Sequence, residues 1–363
     1  MKFLHEYRDP ELVQAYLSEI NDLISREWTL MEFCGGQTHS LVKNGLLNIL
    51  PEQINMVHGP GCPVCVTPLG MIDQAIELAM ANDVILCSFG DMLRVPGSEK
   101  SLLEARGAGG DVRFLYSPME AVKIARANPD KEVIFFAVGF ETTAPANALS
   151  VLHAQQYGLK NYSILSSHIL VPPAMEAVLD DEKSQIQGFI GAGNVCSVMG
   201  LEAYQDIVVR RKIPLVVTGF EPVDLLQGIL MLVQQLETGE TKLENQYARV
   251  VPWDGNPMAK QVIQKVFEVT DREWRGIGVL PKSGWQVKRE FKDFDATQKF
   301  GLGAPASKEN GECIAGEILT GQKKPKDCPH FGKKCNPVTP LGAPMVSSEG
   351  ACAAYFHFTE VFS

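Results

Sequence analysis

The sequence predicts an α/β protein: two similar parallel-sheet, Rossmann-like domains facing a cleft, with a small cysteine-rich domain at the C-terminal end. Three observations predict it. Short apolar, β-rich runs alternate with amphipathic stretches at helical spacing, the pattern of a parallel sheet with crossover helices. The same series then runs a second time, which suggests a duplicated body. From about residue 270 the alternation gives way to a segment rich in Gly, Pro, Lys and Cys. The expected divisions are 1–129, 130–268 and 269–363 of the 363 residues.

Element by element, a helical N-terminal segment comes first. Then TLMEF leads to CGGQTHS, INMVH to GPGCPVC, DVILCSF to GDMLRVPG, and VRFLY to SPMEAVKIARA. Between them MIDQAIELAMAN carries apolar residues at helical spacing. In the second series EVIFFAV leads to GFETTAP, YSILSSH to ILVPPAM, GFIGAG to NVCSVMG, and IPLVVT to GFEPVDLL. The second strand of each series ends in histidine, His58 and His168, before a proline-containing turn. In open parallel sheets ligands sit beyond the carboxyl ends of strands, and nearly every unusual stretch here lies at such an end. The last segment has too little apolar material for a core of its own, a deficit that a metal centre commonly fills.

Composition narrows the classes of function. Hydrophobic residues make up 45% and charged residues 21%, and no apolar run approaches the roughly 20 residues that span a bilayer. The start, MKFLHEYRDPELVQAY, is mixed and charged, without the apolar stretch of a signal peptide, so a cytoplasmic location is expected. A net charge of −10, from 33 basic and 43 acidic residues, argues against nucleic-acid binding, which needs a basic face. Nine cysteines in a reducing compartment point to metal or redox chemistry rather than a disulfide framework.

The chemistry-bearing stretches follow. In CGGQTHS, Cys34 follows a strand directly, two glycines open the backbone amides to an anion, and His39 is near. A cysteine with a histidine nearby is a nucleophile or a soft-metal ligand. In CPVC, Cys62 and Cys65 have redox-dithiol spacing, and a helix expected from about Leu69 would favour a thiolate at Cys65. No second close pair completes a compact zinc site. GFETTAP and TGFEP each put a glutamate just past an apolar strand. Glu141 is a candidate acid, although an acid near a helix N-terminus needs no functional reason. His168 and Asp91 are similar loop-end candidates, whereas Cys87 and Cys196 read as structural. Cys313, Cys328, Cys335 and Cys352 follow C-x14-C-x6-C-x16-C, which suits zinc or an iron–sulfur cluster without naming either.

EFCGGQTHS, HGPGCPVCVTP, GFETTAP and the spaced C-terminal cysteines, taken together and in order over nearly the whole chain, resemble the HypD family of [NiFe]-hydrogenase maturation factors. The family's first motif has histidine where this chain has Gln37, so a role requiring imidazole there does not carry over. The resemblance implies a scaffold on which the hydrogenase iron acquires cyanide and carbon monoxide, a transient Fe(CN)2CO group. It implies work with a small HypC-type chaperone and with HypE, the cyanide donor charged by HypF. Carried over, Cys34 is the iron ligand, with His39 beside it, and Cys62 and Cys65 are the redox dithiol. Glu141 joins them as a candidate catalytic residue. Cys313, Cys328, Cys335 and Cys352 become ligands of a [4Fe–4S] cluster in a third domain. Thiolate ligation suits soft, low-spin iron, and the amides around Gly35 and Gly36 are expected to receive cyanide charge. A self-contained [4Fe–4S] thiol–disulfide oxidoreductase is the alternative, and it leaves the isolated Cys34 without a task. A plain binding module with structural zinc is a third.

Overall fold

Residues 6–303 and 311–358 are described by a computed structural model, and among them eleven strands form two sheets. The first sheet is entirely parallel. Its order is β2 (Ile54–His58), β1 (Trp28–Glu32), β7 (Gly188–Ala192), β8 (Leu215–Thr218) and β9 (Leu243–Asn245). In the second, β6 (Tyr162–Ile169), β5 (Glu132–Gly139), β3 (Val84–Ser88) and β4 (Asp111–Phe114) run parallel. The antiparallel hairpin β10 (Phe267–Trp274) and β11 (Gly278–Val287) extends that sheet beyond β6.

Both faces of each sheet are buried, which is why the strands read as continuous apolar runs. Side chains alternate between the two covers. Val133, Phe135 and Ala137 enter one core and Ile134, Phe136 and Val138 the other. In β1, Leu30 and Met31 likewise point into separate cores. The helix Leu69–Ala79 begins where the sequence places it and buries Met71, Ile72, Ala75 and Ile76 against the second sheet.

The sheets do not follow the expected consecutive domains. β1 and β2 share a sheet with β7 and β8, while β3 and β4 share one with β5 and β6. The order β2-β1-β7-β8 is nonetheless the order β6-β5-β3-β4 when each strand is replaced by its counterpart in the other series. Each four-strand series thus lends two strands to each sheet, and β9 and the hairpin β10–β11 are added at the edges. Strand-forming pattern is local, whereas the choice of pairing partner is tertiary, so residue 129 marks a boundary between series and not between sheets. The expected break at 268/269 falls inside β10. The hairpin escapes the apolar signal because β10 is buried only at its ends.

The carboxyl ends of the strands converge. Phe140, Ile169 and Val171, just beyond or at the ends of β5 and β6, share a core with Met31, Cys34 and Cys196 of the first sheet. Among the described residues no helix is long and apolar enough to cross a membrane.

Candidate metal and thiol centre

Cys34 caps the helix Gly35–Lys43 in an extended conformation just past β1. Three further strand ends surround it. The Asn194 side-chain oxygen, past β7, lies 3.8 Å from the Cys34 sulfur. Gln37 donates at 2.9 Å to Gly191 O of β7 and at 2.8 Å to Thr218 Oγ1 of β8, so its amide pins the helix to the sheet. Beneath the loop lies Glu32, a fully buried carboxylate. It accepts the Cys34 N–H at 3.0 Å and the Thr38 hydroxyl, and stands 2.7 Å from His58 Nδ1 at the end of β2.

The dithiol turn lies against this loop. The Gly35 N–H donates to Gly61 O at 2.9 Å. A side chain at Gly61 would stand 2.5 Å from Cys34 N and Cα, so only glycine permits the approach. Cys62 and Cys65 form a disulfide with Cα atoms 5.3 Å apart, where the chain leaves the first sheet for the second. Cys62 caps the short helix Pro63–Val66, and its sulfur accepts the Cys65 N–H at 3.2 Å.

Burial pushes the Cys34 thiol up to about 12, with the charge of Glu349 adding to it and the amides of Gly36 and Gln37 opposing. These amides face sulfur, and that of Gly35 is held by Gly61. The expectation that the Gly35 amide stands open to cyanide is therefore corrected. His39 Nδ1 donates to Ser348 O at 3.0 Å, and its ring meets Phe358 edge-on, so it faces the C-terminal segment. Glu141 is buried past β5. Its Oε1 accepts the Val171 N–H at 2.9 Å, Oε2 has no hydrogen-bond partner among the described residues, and burial raises its pKa to about 7.

His168 is enclosed between Asn147 and Ser166, and burial lowers its pKa to about 3, which keeps the ring neutral. Asp91 pairs with Arg94 and accepts from the Ser347 hydroxyl, which ties down the segment preceding the last helix. Cys87 and Cys196 are fully buried, with both thiols pushed up by burial.

Cys313, Cys328, Cys335 and Cys352 line one small cavity, walled by Ile314, Ile318, Phe331, Pro344 and Met345. Backbone amides of Ala315 and Leu341 point at the sulfurs of Cys313 and Cys335. No three His, Cys, Asp or Glu side chains among the described residues close on a point that could hold a single metal ion. Four thiols round one cavity, with backbone amides on the sulfurs of Cys313 and Cys335, fit the expected donor set of an iron–sulfur cluster, whose sulfurs accept such amides. A second cavity, of about 1280 Å³, opens beside Cys313 but reaches neither Cys34 nor the disulfide. Residues 343–345 pack on the helix Pro63–Val66, and the helix Ala351–Phe358, which carries Cys352, packs on Gly35–Lys43.

Sequence reading found the thiols and missed Glu32, Asn194 and Tyr355. A signal for Glu32 was available: an acid in an otherwise apolar strand, two residues before CGG, is a buried charge that needs partners.

Comparison with known proteins agrees with the motifs. The family model described as HypD, "Hydrogenase formation hypA family", matches residues 11–359. Hydrogenase maturation factor HypD of Azotobacter vinelandii is 47% identical over 367 residues, covering 99% of this chain and 97% of that protein. The protein of the same name from Escherichia coli (strain K12) is 45% identical over 368 residues, covering 99% of both. That from Cupriavidus necator is 42% identical, covering 99% of this chain and 97% of the relative. With full-length similarity at this level and the motif cysteines gathered at one end of the sheets, the chain belongs to the HypD family of hydrogenase maturation factors.

Proposed function

We propose that the chain is the scaffold on which the iron of a [NiFe] hydrogenase receives cyanide and carbon monoxide, with Cys34 as its ligand to the iron. The iron group is cargo, shared with a small HypC-type chaperone, and cyanide comes from HypE after charging by HypF. One observation carries the reading: Cys34, the Cys62–Cys65 turn and the four-cysteine cavity are joined by direct packing and backbone contact. An oxidoreductase needs the last two, but has no use for a third thiol in its own glycine loop.

The residues divide the work. Burial keeps the Cys34 sulfur protonated, so iron capture exchanges that proton for a metal–sulfur bond. Asn194 and Gln37 fix the sulfur's surroundings, the first beside it and the second by anchoring its helix. Opening the Cys62–Cys65 disulfide consumes two electrons and two protons and leaves two thiols next to the iron site. A [4Fe–4S] cluster on Cys313, Cys328, Cys335 and Cys352 supplies single electrons when bound. Glu141, half protonated near neutral pH, is a proton source or acceptor at the meeting of the two sheets.

The test is an infrared spectrum of the protein purified anaerobically with its small partner from cells that express the other maturation factors. Cyanide and carbon monoxide bands are expected, and they should be absent from Cys34→Ala. A preparation with an intact cluster and no bands would favour the oxidoreductase.

A further inference from the structure

The helix Ala351–Phe358 reaches the Cys34 loop through a chain of buried hydrogen bonds that the proposed chemistry does not use. Its Tyr355 hydroxyl lies 2.9 Å from His58 Nε2, with the rings edge to face at 5.3 Å. His58 Nδ1 meets Glu32 at 2.7 Å, and Glu32 holds the Cys34 N–H and the Thr38 hydroxyl. Glu32, His58 and Tyr355 are each at most 6% exposed. Burying a carboxylate and an imidazole for packing alone is poor economy, since an apolar set of the same shape is commonly as stable or more so. A buried polar set of this kind specifies one arrangement.

We propose that Glu32, His58 and Tyr355 are positioning residues through which the helix carrying Cys352 sets the loop carrying Cys34. Cys352 and Tyr355 are three positions apart, neighbours on one helical face. Whatever fixes Cys352 therefore fixes Tyr355, and through His58 and Glu32 it fixes the Cys34 amide. A shift of the helix that breaks the Tyr355–His58 contact frees Glu32 to turn and loosens the cap of the helix Gly35–Lys43. The inference rests on the reading that the four C-terminal thiols hold a common group.

Its test uses the full chain with its iron–sulfur centre. The rate at which iodoacetamide alkylates Cys34 is read by mass spectrometry of its peptide, with the thermal midpoint measured alongside. Tyr355→Phe keeps the ring and removes the hydroxyl that meets His58, so Cys34 should react roughly fivefold faster, with little change in midpoint. His58→Leu should react at least as fast as Tyr355→Phe. His58→Gln, which can still donate to Glu32 and accept from Tyr355, should stay near the wild-type rate. Cys352→Ser should also accelerate labelling, and adding Tyr355→Phe to it should change nothing further. A wild-type rate in Tyr355→Phe, additive effects of Tyr355→Phe and Cys352→Ser, or a His58→Gln rate equal to that of His58→Leu would each overturn the link. Alkylation does not depend on iron delivery, so this experiment and the infrared one fail separately.

Discussion

At Gly61 one methyl group separates the observed arrangement from a clash. A Cβ there meets the Cys34 backbone at 2.5 Å, and the neighbour is main chain, which cannot step aside. Gly61→Ala is expected to cost about 1–3 kcal/mol in denaturant titration and to part the dithiol from Cys34, with loss of maturation in a complementation assay. Glu141 gives a pH signature. Its folded pKa of about 7 lies above the ordinary carboxylate value of 4.5, so its favourable contribution is complete below about 4.5 and is lost as pH rises through 7. Relative to Glu141→Gln, the wild type should lose up to about 3 kcal/mol of stability over that window. Urea titrations of both proteins at a series of pH values measure it, and a flat difference would mean that Glu141 titrates normally. The sequence marks both residues, a glycine before CPVC and an acid after a strand. It leaves unstated that Gly61 touches Cys34, because that contact joins two strand ends.

Among the elements, the turn Pro63–Val66 and the helix Ala351–Phe358 matter most, since both stand between the four-cysteine cavity and Cys34. A disulfide that closes so short a loop restricts the unfolded chain little. Replacing both cysteines, Cys62→Ser with Cys65→Ser, should lower stability by only about 2 kcal/mol and leave a folded chain. Hydrogenase maturation should nevertheless be lost, and near-wild-type activity in cells would end the redox role. Elements with strong local signals were readable from sequence: the helix from Leu69, the fully buried strands and the C-x-x-C turn. The hairpin β10–β11 was not, because its residues are mostly charged or exposed and its pairing with β6 is specified at a distance. The last helix was equally opaque. Its relation to His39 and His58 depends on a fold that brings positions some 300 residues apart into contact.

The whole molecule is an exchange of strands between two halves of like topology, and that exchange decides how it can be divided. Each sheet is completed by the other half: β1 needs β7 beside it, and β3 needs β5. A fragment of residues 1–129 keeps β2-β1 and β3-β4 as two isolated parallel pairs, each with an interior edge laid open and half its apolar cover missing. Open edges and two-stranded pairs do not sustain a sheet in water. The fragment 1–129 is therefore expected to be insoluble or unstructured by circular dichroism when expressed alone, although the motifs CGGQTH and CPVC are both intact in it. Co-expressed with 130–363, it should be recovered as a one-to-one complex on size exclusion, since the cut falls in the connection between β4 and β5, within one sheet, and severs no crossing between sheets. A cut between β2 and β3 severs such a crossing beside the disulfide, and should be tolerated less well. If 1–129 folded by itself, the two series would be independent domains and the observed pairing of β1 with β7 would be wrong. If only the mixture folds, the Cys34 site exists only when both halves are present, because Asn194 and Glu141 come from the second half and Cys34, Cys62 and Cys65 from the first.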